Sequence, residues 1–141
     1  MSGVLVPGVL KAAELGITPL ARIVSSGVTA LSPEIMGLGP VKASRQALAR
    51  AGMAIADIDL AEINEAFAAQ VIPSADDLGI DLARLNVNGG AIAVGHPFGM
   101  TGARIATTLL NSLAFHDKTI GLETMCVGGG QGMAMVFERL S

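Results

Sequence analysis

The chain has 141 residues, enough for one domain with a substantial core, and its formal net charge is −3 at pH 7. Hydrophobic residues make up 51% and charged residues 15% of the sequence, a balance that excludes a disordered chain. No basic run is present, so the electrostatic signature of a nucleic-acid-binding protein is missing.

The first half of the chain predicts helices and strands in alternation. An apolar segment with Pro7 near its start and Gly16 at its end predicts a short helix. A run over 22–31, rich in Val, Ile, Ser and Thr, predicts a strand. Residues 40–52 begin with proline, end with glycine and have helical apolar spacing, and 58–63 predict a second strand.

The second half continues this alternation. A helix is expected over 65–78, with a kink or break at Pro73 because proline lacks a backbone N–H. Residues 85–88 are expected to be extended. Thr101 is a suitable N-cap for a helix that continues to about Phe115, since its apolar residues recur on one helical face.

Two apolar runs over 119–127 and 133–139 end the chain, and a glycine-rich turn from Gly128 to Gly132 joins them. Consecutive strands with such a short connection predict an antiparallel hairpin. Together, the elements predict a single α/β domain over 1–141, with a mixed sheet and helices on its faces.

A glycine-rich stretch over 86–104 contains five glycines around His96. Pro97 restricts the backbone beside the histidine, so the imidazole is expected to be held by a rigid loop. A histidine can act as a general base near neutral pH, or it can simply pack in a glycine turn. The loop lacks the lysine and the glycine order of a phosphate-binding loop. No Cys/His cluster has metal-ligand spacing, so no metal is predicted.

Three motifs together resemble the thiolase family. They are Asn-Glu-Ala-Phe-Ala from Asn64, the loop with Gly-His-Pro at His96, and Cys-Val-Gly-Gly-Gly-Gln-Gly from Cys126. The resemblance runs from about Ala12 to the end and covers only the C-terminal half of a thiolase. It implies a β-α-β-α-β-α-β-β domain with helices on both faces. Only Met1 to Val6 is available for the first strand, which we expect to be remodelled or missing.

The resemblance also implies roles for site residues. His96 would activate a nucleophilic cysteine, and Cys126 would move a proton to and from the substrate α-carbon. The N–H of Gly128 would face an oxyanion, and Asn64 would hold a water that stabilises the thioester oxyanion together with His96. If these groups form one site, we expect the side chains of Asn64, His96 and Cys126 to converge on one face of the sheet. Ala66 and Phe67 would line the acyl or pantetheine path.

Simpler interpretations remain open for two of these residues. Cys126 lies at the end of an apolar strand, where a buried structural cysteine is common. Asn64 followed by Glu65 is also a common way to begin a helix. His116, after the predicted helix, is expected to be a solvated helix end.

The resemblance implies acyl transfer between coenzyme A thioesters: an acyl-CoA and acetyl-CoA give a 3-ketoacyl-CoA and CoA, and thiolysis is the reverse. Coenzyme A thioesters are then substrates, and no cofactor is expected. The nucleophilic cysteine belongs to the N-terminal half in the family, whereas Cys126 is the only cysteine here. The isolated chain is therefore expected to be inactive without that half.

The expected partners are an acyl-CoA or coenzyme A and an N-terminal thiolase half or a like subunit, in a homo-oligomer. The alternative is a non-catalytic domain that binds a partner subunit or an acyl-CoA. A single cysteine and the lack of a targeting signal or membrane span predict a reducing, cytoplasmic location with no membrane association.

Overall fold

A computed structural model describes residues 5–141, which form one mixed sheet with helices on both faces, as predicted. The strands are β1 (Ala21–Ala30), β2 (Leu60–Ile63), β3 (Ile120–Val127) and β4 (Gln131–Arg139). Their order in the sheet is β1-β4-β3-β2, with β2 parallel to β3 and the other two pairs antiparallel. Leu5 and Val6 are not in a strand, and the rest of the segment expected to form the first strand lies outside the described residues.

Glycines end the helices Gly39–Ala51 and Ala68–Leu78. Gly52 and Gly79 follow them in the left-handed conformation with φ of 68° and 72°, which confirms the predicted stops. No helix among residues 5–141 is long and apolar enough to cross a membrane. The α-helices are α1 (Val9–Glu14), α2 (Gly39–Ala51), α3 (Ala68–Leu78), α4 (Ala91–Val94) and α5 (Thr101–Phe115), with 3-10 turns at Pro33–Leu38, Ile55–Asp57 and Leu82–Arg84.

The prediction for α3 was wrong at its start and at Pro73. The helix begins at Ala68, with Phe67 as its N-cap, and it runs through Pro73 to Leu78 without a break. Proline at this position leaves the carbonyl of Ala69 without its helical donor. Ala69 is exposed, so water can satisfy that carbonyl and the helix can continue.

The prediction of an extended segment over 85–88 was also wrong beyond its first residue. Leu85 forms a single parallel bridge with Ala61, and Asn86 then takes a positive φ of 48°. The Asn86 side chain accepts from the N–H of Ile63 and donates to its carbonyl, at 2.9 and 3.0 Å. The Asn86 amide therefore makes the two hydrogen bonds to the backbone of Ile63 that a neighbouring strand would otherwise make.

The two faces of the sheet carry separate cores. On the α2 face, defined as the side covered by α2, Ala43 and Ala47 pack against Leu122 and Val136. Gly27 on β1 and Gly132 on β4 have no room for a side chain, because an added Cβ would overlap the backbone carbonyls of Ala43 and Gly39. On the α5 face, the opposite side, the core consists of Leu60, Ala106, Leu109, Leu113 and Phe137.

Candidate functional site

The three motif segments meet at one edge of the sheet. Strands β2 and β3 are parallel, so their carboxyl ends lie at the same edge. Asn64 directly follows β2 and donates its backbone N–H to the carbonyl of Thr124 at 3.0 Å, and Cys126 lies two residues farther along β3. The glycine loop leads into α5 here, since an added Cβ at Gly102 would lie 3.5 Å from Met125 on β3.

Asn64 is fully buried and is held by a guanidinium from α5. Its Oδ1 accepts from Nη2 of Arg104 at 3.3 Å, while its Nδ2 has no hydrogen-bond partner among residues 5–141. Nη1 of Arg104 lies 3.8 Å from Oε2 of Glu62, a charge contact without a hydrogen bond. Arg104 thus fixes the orientation of the amide. Asn64 does not cap a helix, because α3 begins four residues later.

Glu65 joins the Asn64 segment to the glycine loop. Its Oε1 accepts from Nδ2 of Asn86 and its Oε2 accepts from the N–H of Ile92 on α4, both at 2.9 Å. An added Cβ at Gly90 would overlap this carboxylate and displace it. The sequence did not identify Glu65, Asn86 or Arg104 as site residues, although all three lie within or at the end of the recognised motifs.

One ring nitrogen of His96 is hydrogen-bonded to a side chain at the end of the glycine loop. Its Nδ1 lies 2.6 Å from Oγ1 of Thr101, and that hydroxyl donates to the carbonyl of Pro97 at 3.3 Å. When the hydroxyl donates its single hydrogen to Pro97, it accepts from Nδ1–H, and the lone pair of the imidazole is then on Nε2. Thr101 was expected to be an N-cap, but the cap is Met100. Thr101 instead orients the histidine.

Cys126 is half-buried on β3 and pairs with Gly132 across the terminal hairpin. Burial raises the pKa of its thiol, so the group is a thiol at neutral pH. The turn that follows has positive φ at Gly128, 57°, and at Gly130, whose carbonyl accepts from the N–H of Leu31 at 2.8 Å. The turn is therefore fixed to the end of β1, close to the cysteine.

The expectation that the site residues share one face of the sheet was wrong for Asn64 and Cys126. Asn64 lies against Arg104 on the α5 face, whereas Cys126 faces the same way as its partner Gly132, towards α2. The register explains the difference, because Ile63 pairs with Thr124, and Cys126 is therefore one residue beyond the level of Asn64. Successive side chains alternate between faces. The two residues share an edge rather than a face.

Two further candidates, Ala66 and Phe67, follow Asn64 in the chain. Ala66 is half-buried, and Phe67, at the start of α3, has 73% of its surface exposed. His116 follows the last residue of α5 as its C-cap, which confirms it as a helix end. Among residues 5–141, no group of three or more His, Cys, Asp or Glu side chains is arranged to hold a metal ion.

A family model described as "Thiolase, C-terminal domain" matches residues 17–139. The chain belongs to the thiolase family. Among curated thiolases, it is 56% identical to a 3-ketoacyl-CoA thiolase of Marinomonas sp. over 99% of the chain and 36% of that protein. It is also 57% identical to an acetyl-CoA acetyltransferase of Escherichia coli, over 89% of the chain and 32% of that protein.

Solved thiolase structures confirm the fold. The acetyl-CoA acetyltransferase of Bacillus anthracis superimposes with a TM-score of 0.90 at 45% identity, and human mitochondrial 3-ketoacyl-CoA thiolase superimposes with 0.91 at 42%. Each match covers 94% of this chain and 34% of the other. The chain is thus a thiolase C-terminal domain that spans about a third of the length of the curated relatives it matches.

Proposed function

We propose that this chain is the catalytic C-terminal domain of a thiolase. Its reaction joins an acyl-CoA and acetyl-CoA to give a 3-ketoacyl-CoA and CoA, with thiolysis as the reverse. The observation that carries the proposal is the meeting of three motif segments at one edge of the sheet, where Glu65 joins the Asn64 segment to the glycine loop. Relatives that are named 3-ketoacyl-CoA thiolase and acetyl-CoA acetyltransferase support this reaction class.

In the proposed first step, a cysteine thiolate attacks the thioester carbonyl of the acyl-CoA. The acyl group moves to that sulfur, and CoA leaves as its thiol with the proton that the cysteine gave up. His96 is the proposed base for that proton. The contact between its Nδ1 and Thr101 supports this role, because it leaves the lone pair of Nε2 available.

In the second step, the thiol of Cys126 gives its proton to His96, and the resulting thiolate takes a proton from the α-carbon of acetyl-CoA. The enolate attacks the acyl-enzyme thioester, a carbon–carbon bond forms, and the nucleophilic sulfur leaves and takes the proton back from His96. A pKa raised by burial supports this role, since it makes the thiolate a stronger base for a carbon-bound proton. The N–H of Gly128 and a water on Nδ2 of Asn64 are the proposed donors to the oxyanions, and Ala66 and Phe67 the proposed lining of the substrate path.

The nucleophilic thiol has to come from outside these 141 residues. Cys126 is the only cysteine in them, and one sulfur cannot hold the acyl group while it removes the α-proton. The thiol belongs either to a longer form of the chain or to a partner chain. The matched thiolases extend well beyond the matched region, which supports this source.

Acetoacetyl-CoA thiolysis tests the proposal. The purified chain alone is expected to show no turnover. Adding the part of the Marinomonas enzyme outside the match is expected to restore it. His96→Ala is then expected to lower the restored rate by a factor of about 100 or more, because general-base catalysis contributes about 100-fold to 10,000-fold. His116→Ala, at the exposed helix end, is the matched control and is expected to keep the rate.

Two outcomes would contradict this proposal. Turnover by the pure chain alone, abolished by His96→Ala, would mean that no external thiol is required. A stable complex that forms with the added part but never turns over would indicate a non-catalytic role.

A second candidate function, a non-catalytic thiolase-fold domain that binds a partner subunit or an acyl-CoA, is favoured by one observation. Asn64 and Cys126 approach the edge from opposite faces, which separates two of the proposed catalytic side chains. Calorimetric titration with acetyl-CoA separates the candidates. Binding without turnover in the reconstituted mixture supports the second, and turnover supports the first.

Association is proposed as part of either function. Ile23, Val28 and Met133 lie on β1 and β4 with 40%, 56% and 38% of their surfaces exposed. Apolar patches of this kind favour contact with another polypeptide. We expect the chain to self-associate or to bind an N-terminal thiolase part, and sedimentation at micromolar concentration tests this. A single monomeric species without affinity for that part would contradict this expectation. The cytoplasmic location stays a prediction.

A further inference from the structure

Arg104 is a buried cation near the start of α5. Only 13% of its side chain is exposed, and its Nε and Nη1 have no hydrogen-bond partner among residues 5–141. Its Nη2 donates to Oδ1 of Asn64 at 3.3 Å. Removing a guanidinium from water is unfavourable, and an apolar side chain of similar volume often stabilises a buried position at least as well. Packing alone therefore gives no reason for an arginine here, and its contact with Asn64 is the feature to explain.

The backbone of Asn64 is fixed on both sides. Its N–H donates to the carbonyl of Thr124 at 3.0 Å, and its carbonyl accepts from the N–H of Ala66 at 3.1 Å. The freedom that remains is in the side-chain torsions, above all the rotation that exchanges Oδ1 and Nδ2. Asn64 has no exposed surface, so its neighbours in the fold determine which of the two orientations is preferred.

The chemistry of the guanidinium selects one orientation. A guanidinium carries only N–H donors, whereas an amide has an acceptor at its oxygen and donors at its nitrogen. Oδ1 of Asn64 can therefore face Arg104, but Nδ2 cannot, because donors would then oppose each other. Nδ2 is directed away from Arg104, buried and without a hydrogen-bond partner among residues 5–141. Arg104 thus determines where the donor of the Asn64 amide points.

Buried acids attract the guanidinium to this position. Glu62 lies on β2, two residues before Asn64, and its Oε2 is 3.8 Å from Nη1 of Arg104. Burial raises the pKa of Glu62 to about 7, although Arg104 lowers it and Glu65 raises it further. Its neighbour across the parallel pair is Glu123, 5% exposed, whose pKa is raised to about 8 by burial and by the charge of Glu62. A cation is favoured beside this pair of acids, and Arg104 supplies it.

We propose that Arg104 is a positioning residue, which binds Oδ1 of Asn64 and thereby holds Nδ2 towards the oxyanion of the reacting thioester. The proposal rests on the proposed function, in which a water on Nδ2 donates to that oxyanion. Arg104 acts through Asn64 rather than on the substrate. A donor is most effective when it is in place before the negative charge develops, because it then needs no reorganisation during the reaction.

Two substitutions separate orientation from packing. Arg104→Lys keeps a cation that only donates, whereas Arg104→Met keeps most of the volume and has no donor. The lysine is expected to hold the amide in the same orientation, and the methionine to leave it free to rotate. Arg50→Met is the matched control, because Arg50 lies in the last turn of α2 and donates to the carbonyl of Ser26, on the other side of the sheet. Urea unfolding establishes that each variant is folded.

Mobility of the amide is the first readout, and it requires no turnover. NMR relaxation of the Asn64 side-chain amide is measured in the chain alone. An order parameter near the rigid value of about 0.85 is expected for the wild type and for Arg104→Lys, and one below about 0.6 for Arg104→Met. Arg50→Met is expected to keep the wild-type value. An order parameter that is unchanged in Arg104→Met would overturn the proposal.

The second readout is acetoacetyl-CoA thiolysis by the chain reconstituted with the part of the Marinomonas enzyme outside the match. Asn64→Ala is expected to lower kcat by a factor of about 100 or more, as for the loss of one oxyanion donor. Arg104→Met is expected to lower kcat about tenfold or more, because the donor is present but misplaced. KM is expected to change by less than about twofold, since the lost interaction belongs to the transition state. Arg104→Lys is expected to recover most of the rate.

A double-mutant cycle decides whether Arg104 acts through Asn64. In the Asn64→Ala background, Arg104→Met is expected to have no further effect on kcat, because the amide that it positions is already gone. An equal loss of kcat in both backgrounds would overturn the proposal and leave the proposed function intact. A wild-type mixture without turnover would contradict the proposed function, and the order parameters would then decide alone whether Arg104 positions the amide.

Discussion

On the α2 face of the sheet, backbone packs against backbone. Gly27 and Gly132 have no space for a Cβ, and a continuous apolar core fills the rest of the contact. On the α5 face, the helix covers β2 and half of β3, and beyond it lie a groove and the buried acid Glu123. The apolar core of the first face is covered by α2, whereas the second face combines a packed core with an apolar groove that α5 does not cover. One sheet thus carries a structural face and a face suited to assembly.

The largest effects should come from the packed part of the α5 face. Leu109 has no exposed surface, and Leu109→Ala is expected to lower the free energy of unfolding by about 4 kcal/mol, because the cavity cannot collapse. Met133→Ala, in the groove, is expected to lower it by less than about 1 kcal/mol. Urea unfolding measures both. An equal loss for Met133→Ala would mean that the groove is closed in solution.

The second prediction compares the loss of stability when a glycine on each face is replaced by alanine, and its expected effect is somewhat smaller. Gly27→Ala places a Cβ against the carbonyl of Ala43 and is expected to lower the unfolding free energy by about 3 kcal/mol. Gly102→Ala meets only Met125, at an ordinary contact distance of 3.5 Å. It is expected to be neutral or to raise stability by less than about 1 kcal/mol, since alanine favours the helix. Equal losses at both positions would remove the contrast between the faces.

The third effect is a dependence of stability on pH. The folded-state pKa values of Glu62 and Glu123, about 7 and about 8, lie above the ordinary value of 4.5. Below 4.5 both states are protonated, and between 4.5 and 8 the unfolded chain loses protons that the folded chain keeps. Stability therefore falls as the pH rises through this window. Glu123→Gln is expected to flatten this fall and to raise the unfolding free energy at pH 8 by about 2 kcal/mol.

The comparison for this prediction is Asp76→Asn, in which an exposed carboxylate is neutralised on the other side of the sheet. It is expected to leave the pH profile of the urea midpoint unchanged. A wild-type profile that is flat between pH 5 and pH 8 would show that Glu123 is already solvated or paired in the isolated chain.

The sequence was sufficient to predict the elements with strong local signals. Glycine stops at Gly52 and Gly79, and the glycine turn between β3 and β4, act through their own backbone and need no tertiary context. The alternation of helices and strands likewise predicted the mixed sheet. Three motifs were enough to recognise the family, which the family model confirmed.

The errors lie where side-chain hydrogen bonds determine the local structure. Asn86 ends the extended segment because its side chain pairs with Ile63, 23 positions away. Thr101 is not the N-cap, because its hydroxyl is hydrogen-bonded to the His96 ring and to the carbonyl of Pro97. No periodicity in the sequence indicates such side-chain contacts.

The relative faces of Asn64 and Cys126 could not be predicted for the same reason. They depend on a register between two strands that are far apart in the sequence, and a shift by one residue reverses the face. The buried acids were missed because Glu62 and Glu123 look like ordinary strand residues until the two strands are paired.

The parallel pairing of β2 with β3 also has a consequence for the order of folding. The hairpin of β3 and β4 closes through a short turn, whereas β2 reaches β3 only across a long stretch of chain. Asp59 at its start accepts from the N–H groups of Thr119 and Ile120, which are 60 and 61 positions away. Closing so long a loop is entropically unfavourable, so the hairpin is expected to be ordered first and β2 to join late. Because Asn64 directly follows β2, the edge where the motif segments meet is expected to be among the last parts of the molecule to form.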